Sequence, residues 1–175
     1  VRPDTRALDL GCSFGKSAFL LCELGACVTG IDVSLGALRF ATSVGRRIGA
    51  RISFAMGDYA RLPFRGEVFD LALFPHNVVE CSPDEFTALV DEVERVLVPE
   101  GLFALSTADK WADTAGSTPV LRDTSITIPE EGTFPYPTYS WSGDAVKKVV
   151  ESKFGVVEIG QMPERAGKWI VGRKQ

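Results

Sequence analysis

The sequence predicts an α/β chain: a three-layer sandwich in which helices cover a mostly parallel seven-stranded sheet whose last strand runs antiparallel. Three observations predict it. Short β-branched or apolar runs alternate with amphipathic helical stretches through the first hundred residues, the pattern of βαβ units and a parallel sheet. The last two apolar runs are separated by only eight residues, too few for a crossover, so they are expected to pair antiparallel. The length, 175 residues, suits one domain over 1–175.

Each element has its own signal. Ala7 to Leu10 reads as a strand that runs into the turn Gly11-Cys12-Ser13-Phe14-Gly15. A helix follows over about Lys16 to Leu24 and stops at Gly25, the usual C-terminal glycine position. Cys27 to Ile31 is a second strand, ending at Asp32. Ser34 caps a second helix whose apolar positions Leu38, Ala41, Val44 and Ile48 keep a helical period. Ile52 to Ala55 and Phe69 to Phe74 are the third and fourth strands.

Ser82-Pro83-Asp84-Glu85 is a capping box with proline at the first helical position. Its helix is expected to bury Phe86, Leu89, Val90, Val93, Val96 and Leu97, and Pro99-Glu100-Gly101 then turns into a fifth strand, Leu102 to Ser106. A helix near Asp144 to Ser152 precedes the closing pair, Val156 to Ile159 and Lys168 to Val171. Between the fifth strand and that helix, 108–141 has no clear period, and connections of that length are usually functional or disordered.

Composition bounds the function. Nineteen basic against 23 acidic residues leave a net charge of −4, which argues against a nucleic-acid or membrane binder relying on bulk positive charge, while leaving room for a local patch. No apolar run approaches the ~20 residues of a membrane span. Four cysteines without a CxxC pair suit reduced thiols and a cytoplasmic location, and with one histidine a zinc site is not expected. The opening Val1-Arg2-Pro3-Asp4-Thr5 has no secretory signal, and Val at position 1 suits a processed or trimmed piece.

Several signatures compete for the first turn. Gly11-Cys12-Ser13-Phe14-Gly15 satisfies GxSxG, but a nucleophile elbow needs preceding strands to build its oxyanion hole, and only ten residues come before Gly11. Gly15-Lys16-Ser17 matches the end of a P-loop, yet three residues instead of four separate its glycines. A dinucleotide GxGxxG would need glycine where Ser13 and Lys16 stand. That weakens an NAD(P)-binding oxidoreductase but leaves it as an alternative.

The surroundings separate these readings. Leu8-Asp9-Leu10-Gly11-Cys12-Ser13-Phe14-Gly15, then Gly30-Ile31-Asp32, Gly57-Asp58, Phe69-Asp70-Leu71-Ala72 and Arg95-Val96-Leu97-Val98-Pro99-Glu100-Gly101 stand in order and spacing. Together they resemble the class I S-adenosylmethionine-dependent methyltransferases, with Ser13 in place of the middle glycine of the first motif. The resemblance implies a Rossmann-like fold with S-adenosylmethionine held by Asp9, Gly11, Cys12, Ser13, Gly15, Asp32, Val33, Gly57, Asp58, Tyr59 and Phe74. Asp32 would accept from both ribose hydroxyls, Asp58 would bond the adenine amino group and Tyr59 would flank the ring. A non-catalytic cofactor-binding module is the other alternative.

The implied acceptor site lies past strands four and five. His76, the only histidine, follows the fourth strand by two residues and is the candidate general base. Phe74-Pro75-His76-Asn77 is not the (D/N)PP(Y/F) motif of nucleobase methyltransferases, so a small-molecule acceptor is expected rather than nucleic acid, and no membrane partner. Trp111, Phe134, Tyr136, Tyr139 and Trp141 make 108–141 a candidate acceptor cover. Alternatively, Trp141 staples the next helix against Val146, and Thr124 to Ile128 is an added strand or a homodimer contact.

Overall fold

The computed structural model describes residues 1–75, 78–108, 120–128, 132–161 and 167–175. Strands β1 (Arg6–Leu10), β2 (Cys27–Asp32), β3 (Ile52–Met56), β4 (Phe69–Phe74) and β5 (Leu97–Ala108) are parallel neighbours in the order β3-β2-β1-β4-β5. Beyond β5 come β9 (Gly167–Lys174) and then β8 (Phe154–Gln161), so the antiparallel last strand is inserted between β5 and the edge rather than lying outside it. Lys174 helps hold it there: its ammonium donates to the Leu97 carbonyl at 2.9 Å and pairs with Glu94 at 3.7 Å.

Helices α1 (Lys16–Glu23) and α2 (Leu35–Ile48) pack on the β1-β2-β3 half, while α3 (Pro83–Val96) and α4 (Gly143–Glu151) cover the other part of the sheet. Strand alternation divides the core. Leu8, Leu10, Ala72, Phe74, Phe103 and Leu105 share one buried layer with Phe86, Leu89 and Val93 of α3. Ala7 and Val28 meet Ala18 and Leu21 of α1 in a second cluster. Burying each large side chain stabilises the fold by about 1.5–3 kcal/mol, so these layers outweigh the weak helix propensity of their valines and phenylalanines.

Both expected caps form. The Ser34 hydroxyl accepts from the Ala37 amide, and Ser82 and Glu85 complete a reciprocal capping box. Three details depart from the sequence reading. Leu97 is buried as expected but leaves the helix to begin β5, and residues 98–101 bulge out between the pairs Phe69–Leu97 and Leu71–Leu102. Ile48, assigned to the core stripe of α2, is 63% exposed. No helix separates β3 from β4; the crossing is the loop 57–68. Arg95 donates to the carbonyls of Phe64 and Leu62, and Glu92 accepts from the Leu62 amide, so two α3 side chains replace the missing helix as the loop's anchor.

The 108–141 stretch contains an antiparallel pair, β6 (Val120–Ile128) and β7 (Gly132–Ser140), forming its own two-stranded sheet. Thr124 to Ile128 is therefore an added strand. Among the described residues no helix is long and apolar enough to cross a membrane.

Candidate functional site

Strand order gathers the expected residues at one edge of the sheet. Gly11 follows β1, Asp32 ends β2, and Asp58 follows β3 by two residues. Open parallel sheets bind ligands beyond these C-terminal ends, where connections run to opposite sides. There the structure has a cavity of about 550 Å³ lined by Gly11, Ser13, Asp32, Val33, Asp58, Tyr59, Glu80 and Glu85. That volume suits a nucleoside-sized ligand.

The turn after β1 is built by hydrogen bonds to β2. The Cys12 amide donates to the Ile31 carbonyl at 3.0 Å, and the Gly15 amide donates to the Cys12 carbonyl at 2.8 Å. Gly15 adopts φ +84, and a Cβ there would lie 3.1 Å from the rings of Phe19 and Phe54, so glycine is required. Ser13 is left-handed as well, at φ +47, where an L side chain is strained. Its amide is the reason the turn holds: it donates to Asp32 Oδ2 at 2.8 Å. Asp32 Oδ1 accepts from the Ser34 amide at 2.8 Å, so one carboxylate ties the glycine turn to the start of α2.

Asp58 forms a local turn, its Oδ1 accepting from the Ala60 amide at 2.8 Å. Gly57 lets it sit close: a Cβ on Gly57 would be 2.8 Å from Ile31 Cδ1. Tyr59 packs edge-on to Phe74 at 5.4 Å, and its hydroxyl accepts from the Cys81 thiol at 3.5 Å. Burial raises the Tyr59 phenol and pushes the Cys81 thiol up to about 12. Cys12 is likewise pushed to about 12, chiefly by burial and then by the charges of Asp9 and Asp32. Neither thiol is a nucleophile at neutral pH.

Five expected contacts, Asp9, Cys12, Gly15, Gly57 and Phe74, do not line the cavity. Asp9 and Phe74 are completely buried, and Cys12 nearly so, while Gly15 points into the Phe19–Phe54 packing. The strand alternation that gives Phe74 to the core removes its side chain from a ligand, and it acts by supporting Tyr59. Asp9 is the unusual member of this layer. Neither carboxylate oxygen has a hydrogen-bond partner, and burial raises its pKa to about 7. The amide of Ala18 opposes that shift without reaching hydrogen-bond geometry, and the charge of Asp32 adds to it.

Glu80 and Glu85 were not among the expected site residues. Glu85 had a sufficient local explanation in the capping box, and Glu80 lies on a 3-10 turn, Val78–Glu80, with no sequence signature. The available signal was position: α3 starts just past β4, so its N-terminus must sit at the site. Among the described residues no three His, Cys, Asp or Glu side chains are placed to hold a metal. His76 and Trp111 lie outside the described residues. Trp141 belongs to the core: it is buried, meets Phe86 at 5.0 Å, and its indole N–H donates to the Cys81 carbonyl at 2.9 Å. Tyr139 packs on the same cluster, so these two aromatics do not face an acceptor from the loop.

Comparison with known proteins adds an independent line. A family described as a methyltransferase domain matches residues 7–101, more than half of the chain. An uncharacterised methyltransferase of Synechocystis sp. is 34% identical over 110 residues, covering 60% of this chain and 48% of that protein. The ubiquinone biosynthesis O-methyltransferase of Azorhizobium caulinodans is 28% identical over 167 residues, covering 93% of this chain and 61% of its own length. The chain thus spans roughly half the length of the curated relatives it matches. Among solved structures, an S-adenosylmethionine-dependent methyltransferase from Methanosarcina mazei superposes with a TM-score of 0.81 at 22% identity, covering 99% of this chain and 94% of that one.

Proposed function

This chain belongs to the class I S-adenosylmethionine-dependent methyltransferase family, and from that premise we propose that it transfers a methyl group to an O, N or C nucleophile of a small-molecule acceptor. The observation that carries the reading is Asp32, held at the end of β2 by the Ser13 and Ser34 amides beside the cavity. Each of its oxygens keeps a lone pair for a ribose hydroxyl. Asp58 is the acceptor for the adenine amino group, Val33 and Tyr59 flank the base, and Gly11 and Ser13 let the backbone approach the cofactor.

When bound, S-adenosylmethionine supplies an already electrophilic methyl group, so the protein's part is alignment and exclusion of water. We assign the 108–141 insertion to the acceptor side. Two contacts support this: β7 lies against the Val78–Glu80 turn, and Trp141 anchors the foot of the hairpin to Cys81. For an acceptor that must lose a proton, His76 is the assigned base by its place in the chain, two residues past β4.

Calorimetry with S-adenosylhomocysteine and with NAD tests the cofactor. Binding of NAD alone would transfer the chain to the oxidoreductases. Mass spectrometry of a metabolite pool incubated with isotopically labelled S-adenosylmethionine then tests catalysis. Cofactor binding without any labelled product would favour a non-catalytic module. Loss of the acidic limb of the pH–rate profile in His76→Gln supports the base, and a parent-like profile removes it.

A further inference from the structure

We propose that the outer face of α2, with the adjoining edge strand β3, docks on an anionic lipid membrane. The net charge of −4 conceals a local reversal. From Val33 to Gly57 there is no Asp or Glu, while Arg39, Arg46, Arg47 and Arg51 fall in that stretch. Arg51 is committed to Asp4 at 2.8 Å. Arg39, Arg46 and Arg47 have no carboxylate partner among the described residues, whereas Arg6, Arg95 and Arg173 each have one. The three free guanidiniums line one cleft of about 540 Å³ with the hydroxyl residues Thr42 and Ser43.

That cleft opens outward because β3 pairs only with β2 and ends the sheet. Exposed apolar side chains of the same acid-free stretch line or flank it. Leu35, 47% exposed, and Met56, 63% exposed, line it, and Phe40, 57% exposed, stands two helical turns from Arg47 on the same face. Phe40 meets Phe14 edge to face at 5.5 Å, and both rings stay more than half exposed.

Local structure explains part of this and not the rest. Arg46 and Arg47 in the last turn of α2 oppose the negative end of the helix dipole. Arg39, in the first turns, gains nothing from that dipole, and neither does the exposed apolar rim. Basic amphipathic helices of this type recognise either anionic lipid or a groove on a partner protein. The second use needs the apolar stripe, and α2 already buries Ala37, Leu38 and Ala41 in its own fold. A free phosphate or a nucleic acid would use the arginines but not Leu35, Phe40 and Met56. A lipid surface uses both, with charge at the headgroups and apolar side chains just below them. Val33, exposed at the start of α2, also lines the ligand cavity, so docking would bring the cavity mouth to the membrane. This inference does not rest on the methyl-transfer reading.

The test is co-sedimentation of the whole chain with vesicles of phosphatidylcholine, alone or with about 30% phosphatidylglycerol. Binding is expected only with the anionic lipid, and should weaken steeply as salt rises from about 50 to 300 mM. Arg39→Gln, Arg46→Gln and Arg47→Gln should each cost about fivefold in vesicle affinity, and about a hundredfold together, with an unchanged melting curve. Met56→Ser, on the cleft wall, should weaken binding at every salt concentration. If the triple variant does not fold, the single variants and the parent's salt dependence carry the test. Absence of vesicle binding, equal binding to neutral vesicles, or parent-like affinity in the arginine variants would each overturn the proposal. So would binding of inorganic diphosphate or single-stranded RNA in place of vesicles.

Discussion

Ser13 donates its amide to Asp32 Oδ2 at 2.8 Å across 19 residues, from a left-handed conformation that serine rarely adopts. The carboxylate assigned to the cofactor ribose thus also holds the turn assigned to the methionine portion. On the proposed reading, binding chemistry and loop geometry meet in one side chain.

Replacing Asp32 by Ala should therefore weaken S-adenosylhomocysteine binding by at least 1.5–3 kcal/mol, roughly the range for losing charge-assisted hydrogen bonds. Asp32→Asn keeps one acceptor oxygen and should fall between parent and Ala. Titration calorimetry gives both values. Parent-like affinity in Asp32→Ala would remove the residue from the site.

Ser13→Gly should stabilise the protein by about 1 kcal/mol, because glycine occupies φ +47 without the steric cost that an L side chain incurs. The Ser13 amide remains, so cofactor affinity should change little. Urea denaturation measures the first effect. A less stable variant would mean that the serine hydroxyl makes a bond worth more than the strain.

Asp9 predicts a pH dependence of stability with a defined sign. Its carboxyl is raised from 3.8 to about 7 in the fold, mainly by burial. Between those values the folded state keeps a proton that the unfolded chain has released, so stability falls as pH rises through the window and levels off above it. Asp9→Asn, neutral at every pH, should lose this slope. At pH 8 it should exceed the parent by no more than about 4 kcal/mol, the ceiling for a shift of this size. Parallel pH profiles for parent and variant would show that the buried carboxylate is better solvated than its surroundings indicate.

Glu80 predicts discrimination by ligand charge. Asp32, Asp58 and Glu85 each accept at least one backbone amide, while Glu80 has no hydrogen-bond partner among the described residues. S-adenosylmethionine carries one more positive charge than S-adenosylhomocysteine, so a free carboxylate at the cavity wall favours the substrate over the product. Glu80→Gln should lower the affinity ratio of the two by about three- to tenfold at low salt. An unchanged ratio would place Glu80 too far from the sulfonium to matter.

Several features of the site and fold were legible in the chain because they depend on near neighbours. Ser34 and Ser82 cap helices through amides three residues away, and the Gly11–Gly15 turn announces itself by its glycine spacing. Asp32 and Asp58 could be placed at strand ends because Asp32 directly follows an apolar run and Asp58 follows one after a single glycine, Gly57. The short connection between β8 and β9 required antiparallel pairing whatever the remainder did.

What tertiary structure alone decided rests on contacts between distant residues. Periodicity does not state strand order, yet β3-β2-β1-β4-β5-β9-β8 is what brings Gly11, Asp32, Asp58 and Glu80 around one cavity. Leu97 continues the helical stripe in sequence but joins the sheet because Phe69 and the buried Lys174 meet it there. Asp9 reads as a motif residue, and only packing against α1 leaves its carboxylate buried without a partner. Trp141 looks like an acceptor-facing aromatic until Phe86 and the Cys81 carbonyl, 60 residues earlier, draw it inward. Local sequence specifies backbone conformation through short-range sterics and hydrogen bonds, whereas burial is settled by whichever distant surfaces exclude water together.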